Sequence, residues 1–499
     1  MFEMPNHPAR AAPSIPVAVR TRDIPRVDPF AAYLALRAAR GAHDVVLLES
    51  LAGPQHDTAQ SMVFFGQLAA LEVSGKRIRF SGKPPLVDAM RKAALDAGVA
   101  VLDGHRLALP DEKGLLPFVR ALQAAFDLRD ADGRPARGFG FFGYFGYDLV
   151  RAIEELPRTI QAGTDLPDVH LALYRGAVRI DHASGTTQLV ETQGPYWGPV
   201  EAAIPEGLPG AGQAPVPAAP TPVEVMDTMT RAQFEERVAA AMEHILDGDT
   251  YQVQIGHEIL IRSSIQPLDV YRRLRHRNPA PYMYLATLGR ATLVGASPEV
   301  LFRLDGDRIV MRPLAGTIPR GPTPEEDAAN VHTLRNDPKE IAEHIMLVDL
   351  CRNDLGRICV PGSLEVTDLL AVERYSHVHH LVSNVVARLA PGTDTYDAIR
   401  ATFPAGTMSG APKVRSMEII EALELTRRGP YAGCVGFIDF GGDAVLALCI
   451  RTAVHTEHGY SIRASAGIVA DSVPEKEWRE TIVKMGATYW AIVGEELKP

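Results

Sequence analysis

The sequence predicts an α+β fold, a large domain of antiparallel sheets with helices preceded by a smaller N-terminal α/β region. Three observations carry this reading. In the second half, strand-like runs stand beside one another as hairpins, which favours antiparallel pairing. Long helical stretches separate them without the regular βαβ rhythm of a nucleotide-binding sheet. A run dense in Pro, Ala and Gly, from Pro205 to Val225, cannot hold a regular helix or a central strand and divides the chain in two.

Taken in order, residues 1–25 are rich in Pro, Ala and Arg and read as a flexible arm, with no apolar segment of signal-peptide length. Residues 26–204 form the N-terminal region. Val45 to Leu48 and Met62 to Phe65 read as strands, and Pro85 to Ala97 as an amphipathic helix. In GFGFFGYFGYDLV, around Gly138, glycines alternate with aromatics, which predicts a strand with close backbone packing. No helix start follows at the distance that a dinucleotide-binding glycine loop requires. Residues 205–225 are the linker, and 226–499 the second domain. Its predicted strands are Tyr251 to Ile255, Ala291 to Gly295, Arg308 to Arg312, Cys434 to Phe440, Ala444 to Thr452 and Tyr460 to Ser465.

Composition narrows the function. With 46% apolar and 22% charged residues the chain can bury a sizeable core. A net charge of −10 argues against a nucleic-acid backbone or an anionic membrane as main partner, though not against a small anion held by a local basic cluster. No apolar run reaches membrane-spanning length. The four cysteines, Cys351, Cys359, Cys434 and Cys449, form no CxxC pair, so they read as reduced core thiols of a cytoplasmic protein rather than zinc ligands.

Two segments stand out by their acids. One opens at Asp337-Pro338-Lys339-Glu340, a helix start with an Asp cap and Pro at the first position, and carries Glu340 and Glu343 on one face. The other opens at Ser472-Val473-Pro474-Glu475 and places Glu477, Glu480 and Lys484 on one face. Four carboxylates from two helices suit a hard divalent cation such as magnesium. Taken by spacing alone, solvated helix faces explain them more readily.

The motifs decide between these. GASPEVL (295–301), RPLAGT (312–317), DPKEIAEHIMLVDLCRNDLGR (337–357), VERYSHVHHLVSNV (372–385), ATFPAGTMSGAPKVRSMEII (401–420), RRGPYAGCVGF (427–437) and AGIVADSVPEKEW (466–478) resemble chorismate-utilising enzymes over Thr228 to Val493. The resemblance is greatest to the large subunit of anthranilate synthase. It implies a chorismate-binding catalytic domain over 226–499 and an anthranilate-synthase-like region over 26–204. By motif position, Glu340, Glu343, Glu477 and Glu480 correspond to the magnesium site. Tyr431, Arg451, Gly467 and Lys484 correspond to the residues that hold chorismate's carboxylates, with Gly316, Thr317, Ser465 and Ala466 lining the same substrate site. Glu299 corresponds to the acid that protonates the departing C4 hydroxyl, since hydroxide is a poor leaving group. His380 and Thr407 match positions associated with later steps. His380 falls in a cluster with His377 and His379 that is read as helical.

Several positions refine the reaction. Water-adding relatives carry a lysine base where this chain has Gln252, and glutamine cannot take up a proton as an amine can. That favours ammonia as nucleophile. Relatives that aminate C4 often carry a covalent lysine where this chain has Ala315, which favours attack at C2. The expected reaction makes anthranilate and pyruvate through aminodeoxyisochorismate. Its alternatives are an aminodeoxyisochorismate synthase that stops before elimination, an aminodeoxychorismate synthase, or a non-catalytic regulatory chain binding chorismate or tryptophan. None of the four cysteines sits at a nucleophile turn, so a separate glutamine amidotransferase subunit is expected to supply ammonia. Leu48, Glu49 and Ser50, with Pro281, Tyr282 and Met283, resemble a tryptophan-binding pocket, although the arginine-bearing strand that usually follows is missing. Ser465 stands where the family usually has glycine, beside the substrate carboxylate.

Overall fold

The computed structural model describes residues 15–53, 60–102, 106–161, 163, 165–198, 216–375 and 378–498. Pairing links all of its described strands into one continuous hydrogen-bonded system. The helices and antiparallel sheets bear out the α+β expectation.

In the N-terminal half the backbone of the arrangement is the long strand Gln60–Ser74. It pairs antiparallel with Val169–Asp181 on one side and Val45–Glu49 on the other. Helices Pro29–Arg40, Pro84–Asp96 and Leu115–Ala124 pack around these strands. The sequence expectation of a loose arm fails from residue 15 onward. Ile15–Ile24 is a strand whose first half alternates buried and exposed side chains, as a half-buried strand must. It pairs antiparallel with Thr187–Gln193 and parallel with Phe126–Arg129. Residues 1–14 of that arm, and 205–215 of the linker, lie outside the described residues. The linker's end, Glu224–Asp227, is a short strand on Gln252–Arg262 rather than coil.

The glycine-aromatic stretch forms the fully buried strand Gly140–Phe145. Close approach explains its glycines: a Cβ on Gly140 would sit 1.9 Å from the Ile438 carbonyl oxygen, and one on Gly143 1.9 Å from that of His170. The strand spans the two halves of the chain. It pairs with Val169–Asp181 on one edge and with Cys434–Asp439 of the second half on the other. A second junction joins Val45–Glu49 to Tyr282–Leu288. The cores are shared accordingly. Phe64 stacks on Phe142 at 5.4 Å and meets Phe437 at 5.0 Å, contacts each worth about 0.5–1.5 kcal/mol beyond their burial. Phe30 packs on Tyr271 at 5.6 Å.

In the second half, Gln252–Arg262, Gly459–Ile468, Thr452–Thr456, Ala291–Ser297 and Tyr282–Leu288 follow one another as antiparallel neighbours. A second group runs from Cys434–Asp439 through Ala444–Leu448, Val300–Asp305 and Arg308–Met311 to Val378–Arg388. Val378–Arg388 also pairs with Leu314–Pro319 and Glu365–Arg374. His379 and His380 therefore lie on a strand, not on a helix; the alternation His380, Val382, Asn384, Val386 is a strand period. His377 lies outside the described residues. Both acidic helices form where expected. Pro338–Gly356 is capped by Asp337, whose carboxylate accepts from the Lys339 N–H at 2.9 Å and the Glu340 N–H at 3.3 Å. Pro474–Val493 begins with its proline at the first position and packs on Gly459–Ile468. Among the described residues no helix is long and apolar enough to cross a membrane.

Candidate active site

Glu299 follows Pro298 at the turn between Ala291–Ser297 and Val300–Asp305, and is only 8% exposed. Burial pushes its carboxyl up to about 8, although the Thr407 hydroxyl and the charges of Arg451 and Lys484 favour ionisation. Thr407 donates to Glu299 Oε1 at 2.9 Å. The result is a carboxylic acid that keeps its proton at neutral pH, held by a hydroxyl from a separate loop.

Basic groups gather around it. Arg451 sits in the left-handed region with φ of 50°, between Ala444–Leu448 and Thr452–Thr456. Such strain costs about 1–3 kcal/mol and persists where surrounding structure enforces it. Its guanidinium lies in the fields of Tyr431, Glu480 and Glu299, and burial lowers its pKa. Lys484 reaches from the second acidic helix to the Ser465 carbonyl at 2.9 Å and to Glu480 at 2.5 Å. Ser465 donates its hydroxyl to Gln254 Oε1 at 2.8 Å, which leaves it to accept from the Tyr431 hydroxyl, also at 2.8 Å. Ala466 and Gly467 continue this strand, cross-paired to Ile255 and Gln254. A Cβ at Gly467 would meet Gln252 Nε2 at 2.6 Å, so a side chain there would have to displace that amide.

The carboxylates close the circle. Gln252 donates to Glu343 Oε1 at 2.7 Å, and its own buried Oε1 finds no partner among the described residues. Burial, then the neighbouring charge of Glu343, raises the Glu340 carboxyl, which also accepts from the Thr317 backbone N–H. Thr317 Oγ1 lies 2.8 Å from His380 Nδ1. Burial and the charge of Arg451 push His380 down to about 4, so the imidazole is neutral at physiological pH. Gly316, with φ of 84°, brings its Cα close to Glu340 and Leu381. On the second helix, burial and then Glu480 raise Glu477, while Lys339 of the first helix opposes that rise. The two acidic helices thus act on one another's charges.

These residues fit a hard cation by chemistry. All four candidate donors are carboxylates, arranged as two pairs in which each member repels the other. Among the described residues, no three carboxylate, thiolate or imidazole groups already converge as a formed metal site. The orphaned Oε1 of Gln252 lies beside the same donors.

The two halves of the expected effector pocket also meet. Met283 is cross-strand partner of Glu49, and the Leu51 N–H donates to the Ala280 carbonyl at 3.2 Å. Glu49, 2% exposed, is already fully engaged: Tyr271 donates to it at 2.7 Å and Arg275 grips both oxygens at 2.9 Å. Ser50 is tied to Ser61 and to the Gln60 carbonyl. Leu48 is half-buried on the same strand, and Pro281 packs against the Gly53 turn. Tyr282 is half-buried and lies in the field of Arg303.

Sequence reasoning passed over three groups that the fold brings to the site. Gln254 holds Ser465, and the Tyr375 ring packs edge-on against His380 at 5.1 Å. Glu424, Arg428 and Arg463 form a buried ion network that also binds the Met408 and Gln254 carbonyls. Arg428 lay in a quoted motif, but nothing local marks a charged residue as buried.

Known proteins resemble this chain in sequence and fold. A model of the family described as chorismate binding enzyme matches residues 96–489, beginning well ahead of Thr228. A 2-amino-4-deoxychorismate synthase from Streptomyces globisporus is 49% identical, covering 97% of this chain and 98% of the relative. An anthranilate synthase component 1 from Pseudomonas putida is 37% identical, covering 93% of this chain and 92% of its own. Among solved structures, anthranilate synthase component I from Streptococcus pneumoniae TIGR4 superposes with a TM-score of 0.68 at 30% identity, covering 86% of this chain and 92% of that one.

Proposed function

We propose that this chain, which belongs to the chorismate binding enzyme family, adds ammonia to C2 of chorismate with loss of the C4 hydroxyl and releases 2-amino-4-deoxychorismate. Near-full-length identity to a synthase of that name supports this product over anthranilate, the first expectation from sequence. The name places the amine at C2 and the lost hydroxyl at C4, which is the connectivity of aminodeoxyisochorismate. The observation that carries the chemistry is Glu299, a buried carboxyl kept protonated near neutrality within a ring of basic and hydroxyl groups.

In this reading Arg451, Lys484 and the Tyr431 hydroxyl hold the substrate's carboxylates, with the guanidinium as fork. Ser465 occupies the space of a family glycine and fixes Tyr431. Gly316, Thr317, Ala466 and Gly467 bring backbone close to the ring. Thr407 aims Glu299 at the C4 oxygen. Gln252 offers a buried oxygen acceptor where a base would activate water, and ammonia needs only orientation. His380, neutral and tied to Thr317, stands at the place associated with the later elimination. Glu340, Glu343, Glu477 and Glu480 would hold magnesium. Bound there, it would neutralise the ring carboxylate and draw electron density from the ring.

Ammonia comes from a separate glutamine amidotransferase in this reading. Burial raises the thiols of Cys351, Cys434 and Cys449, opposite to what a nucleophile needs. Incubation with chorismate, magnesium and ammonium salt tests the whole reading. The expected product retains its enolpyruvyl group and no pyruvate appears; stoichiometric pyruvate would restore the anthranilate reading.

A further inference from the structure

Glu299, Thr407, Cys351 and Asp354 all line one small cavity of about 20 Å³. That volume holds about one water, and both carboxyl-bearing residues line it. Asp354 is 3% exposed, and its Oδ2 accepts from Lys413 Nζ at 2.8 Å. Lys413 also donates to the Thr402 carbonyl, and 16% of its side chain reaches solvent. Neither Asp354 nor Lys413 has a part in holding substrate in the reading above.

We propose that Asp354, through a water in this cavity, returns a proton to Glu299 in each turnover, with Lys413 as the end that faces solvent. The inference rests on Glu299 being the acid. As ammonia bonds to C2, the ring double bonds shift, the C4–O bond breaks and the hydroxyl leaves as water with the Glu299 proton. The new substituent keeps ammonia's three protons as an ammonium group. Glu299 is left as a carboxylate and needs one proton from outside the ring. The cavity water gives it that proton and takes one from the Asp354–Lys413 pair, which solvent refills at Lys413. A buried acid facing bound substrate has no such supply from the substrate side.

Both carboxyl groups have charged or polar neighbours. Thr407, Arg451, Lys484 and Tyr375 act on Glu299, and Lys413, Arg357 and Cys351 on Asp354. The test uses Asp354→Asn, Cys351→Leu, which fills the cavity and leaves both carboxyl groups in place, and Glu299→Gln as reference. Both relay variants are expected to lose about tenfold or more in kcat with KM for chorismate unchanged. Each should gain a solvent deuterium isotope effect and begin its alkaline decline at lower pH. Wild-type kcat and isotope effect in a folded Asp354→Asn protein overturn the relay. If that variant does not fold, wild-type kcat in Cys351→Leu does so. Activity retained by Glu299→Gln instead overturns the assignment of the acid itself.

Discussion

Glu299 gives the most direct predictions at the scale of single residues. Replacing it by Gln removes the proton and keeps the shape, and kcat is expected to fall by about 10²–10⁴-fold with little change in KM. In the proposed reading activity needs Glu299 protonated, so it should decline as pH rises through about 8. Stability follows the same sign. The folded chain binds this proton more tightly than the unfolded one, so the contribution is complete below the ordinary value of 4.5 and is lost as pH rises through about 8. Denaturant titrations of wild type and Glu299→Gln across that window should diverge. Ser465→Gly leaves the Tyr431 hydroxyl and the Gln254 oxygen without their shared partner, a loss of about 1–3 kcal/mol. It is also expected to release pyruvate above the wild-type trace, and a coupled pyruvate assay reads this. At this scale much was legible. Glu299 and the four helix glutamates sit in short motifs whose chemistry is local. The setting of His380 was not, because three clustered histidines hide the alternation of the strand that holds two of them.

Helices and strands carry the next level. Asp337 caps the first acidic helix about one turn ahead of Glu340, and Asp337→Ala should lower stability by about 1 kcal/mol, read as a fall in Tm. In the reading that places magnesium on this helix's glutamates, activity should weaken with it, because fraying begins at Glu340. The helix was readable from Asp-Pro and its acids, since caps and helix periodicity are short-range. The strand Ile15–Ile24 was not, because its Pro and Arg content mimics a tail and its partners, Phe126–Arg129 and Thr187–Gln193, lie far along the chain. Glu424 shows the same limit for an ion network. Two arginines, Arg428 and Arg463, share it, and nothing in LELTRRG signals that all three are buried. Glu424→Gln breaks the network and should destabilise by about 3–5 kcal/mol, measured as a shift in the urea midpoint.

For the whole molecule, the Pro-rich run suggested two separable pieces, whereas the strands of both pieces pair across it. Gly140–Phe145 is hydrogen-bonded to Cys434–Asp439, and Val45–Glu49 to Tyr282–Leu288. Residues 226–499 made alone would expose both of those edges. They are expected to be poorly soluble, and to give native-like dispersion in NMR spectra only when co-expressed with 1–204. Calorimetry of the full chain should show one transition rather than two. The junction at Val45–Glu49 has a mechanical side. Glu49 lies opposite Met283, Met283 opposite Ala296, and the chain reaches Glu299 three residues later. A sideways pull on the first of these rungs is handed along the ladder to the turn that carries Glu299, so the seam between the two halves is mechanically joined to the candidate site.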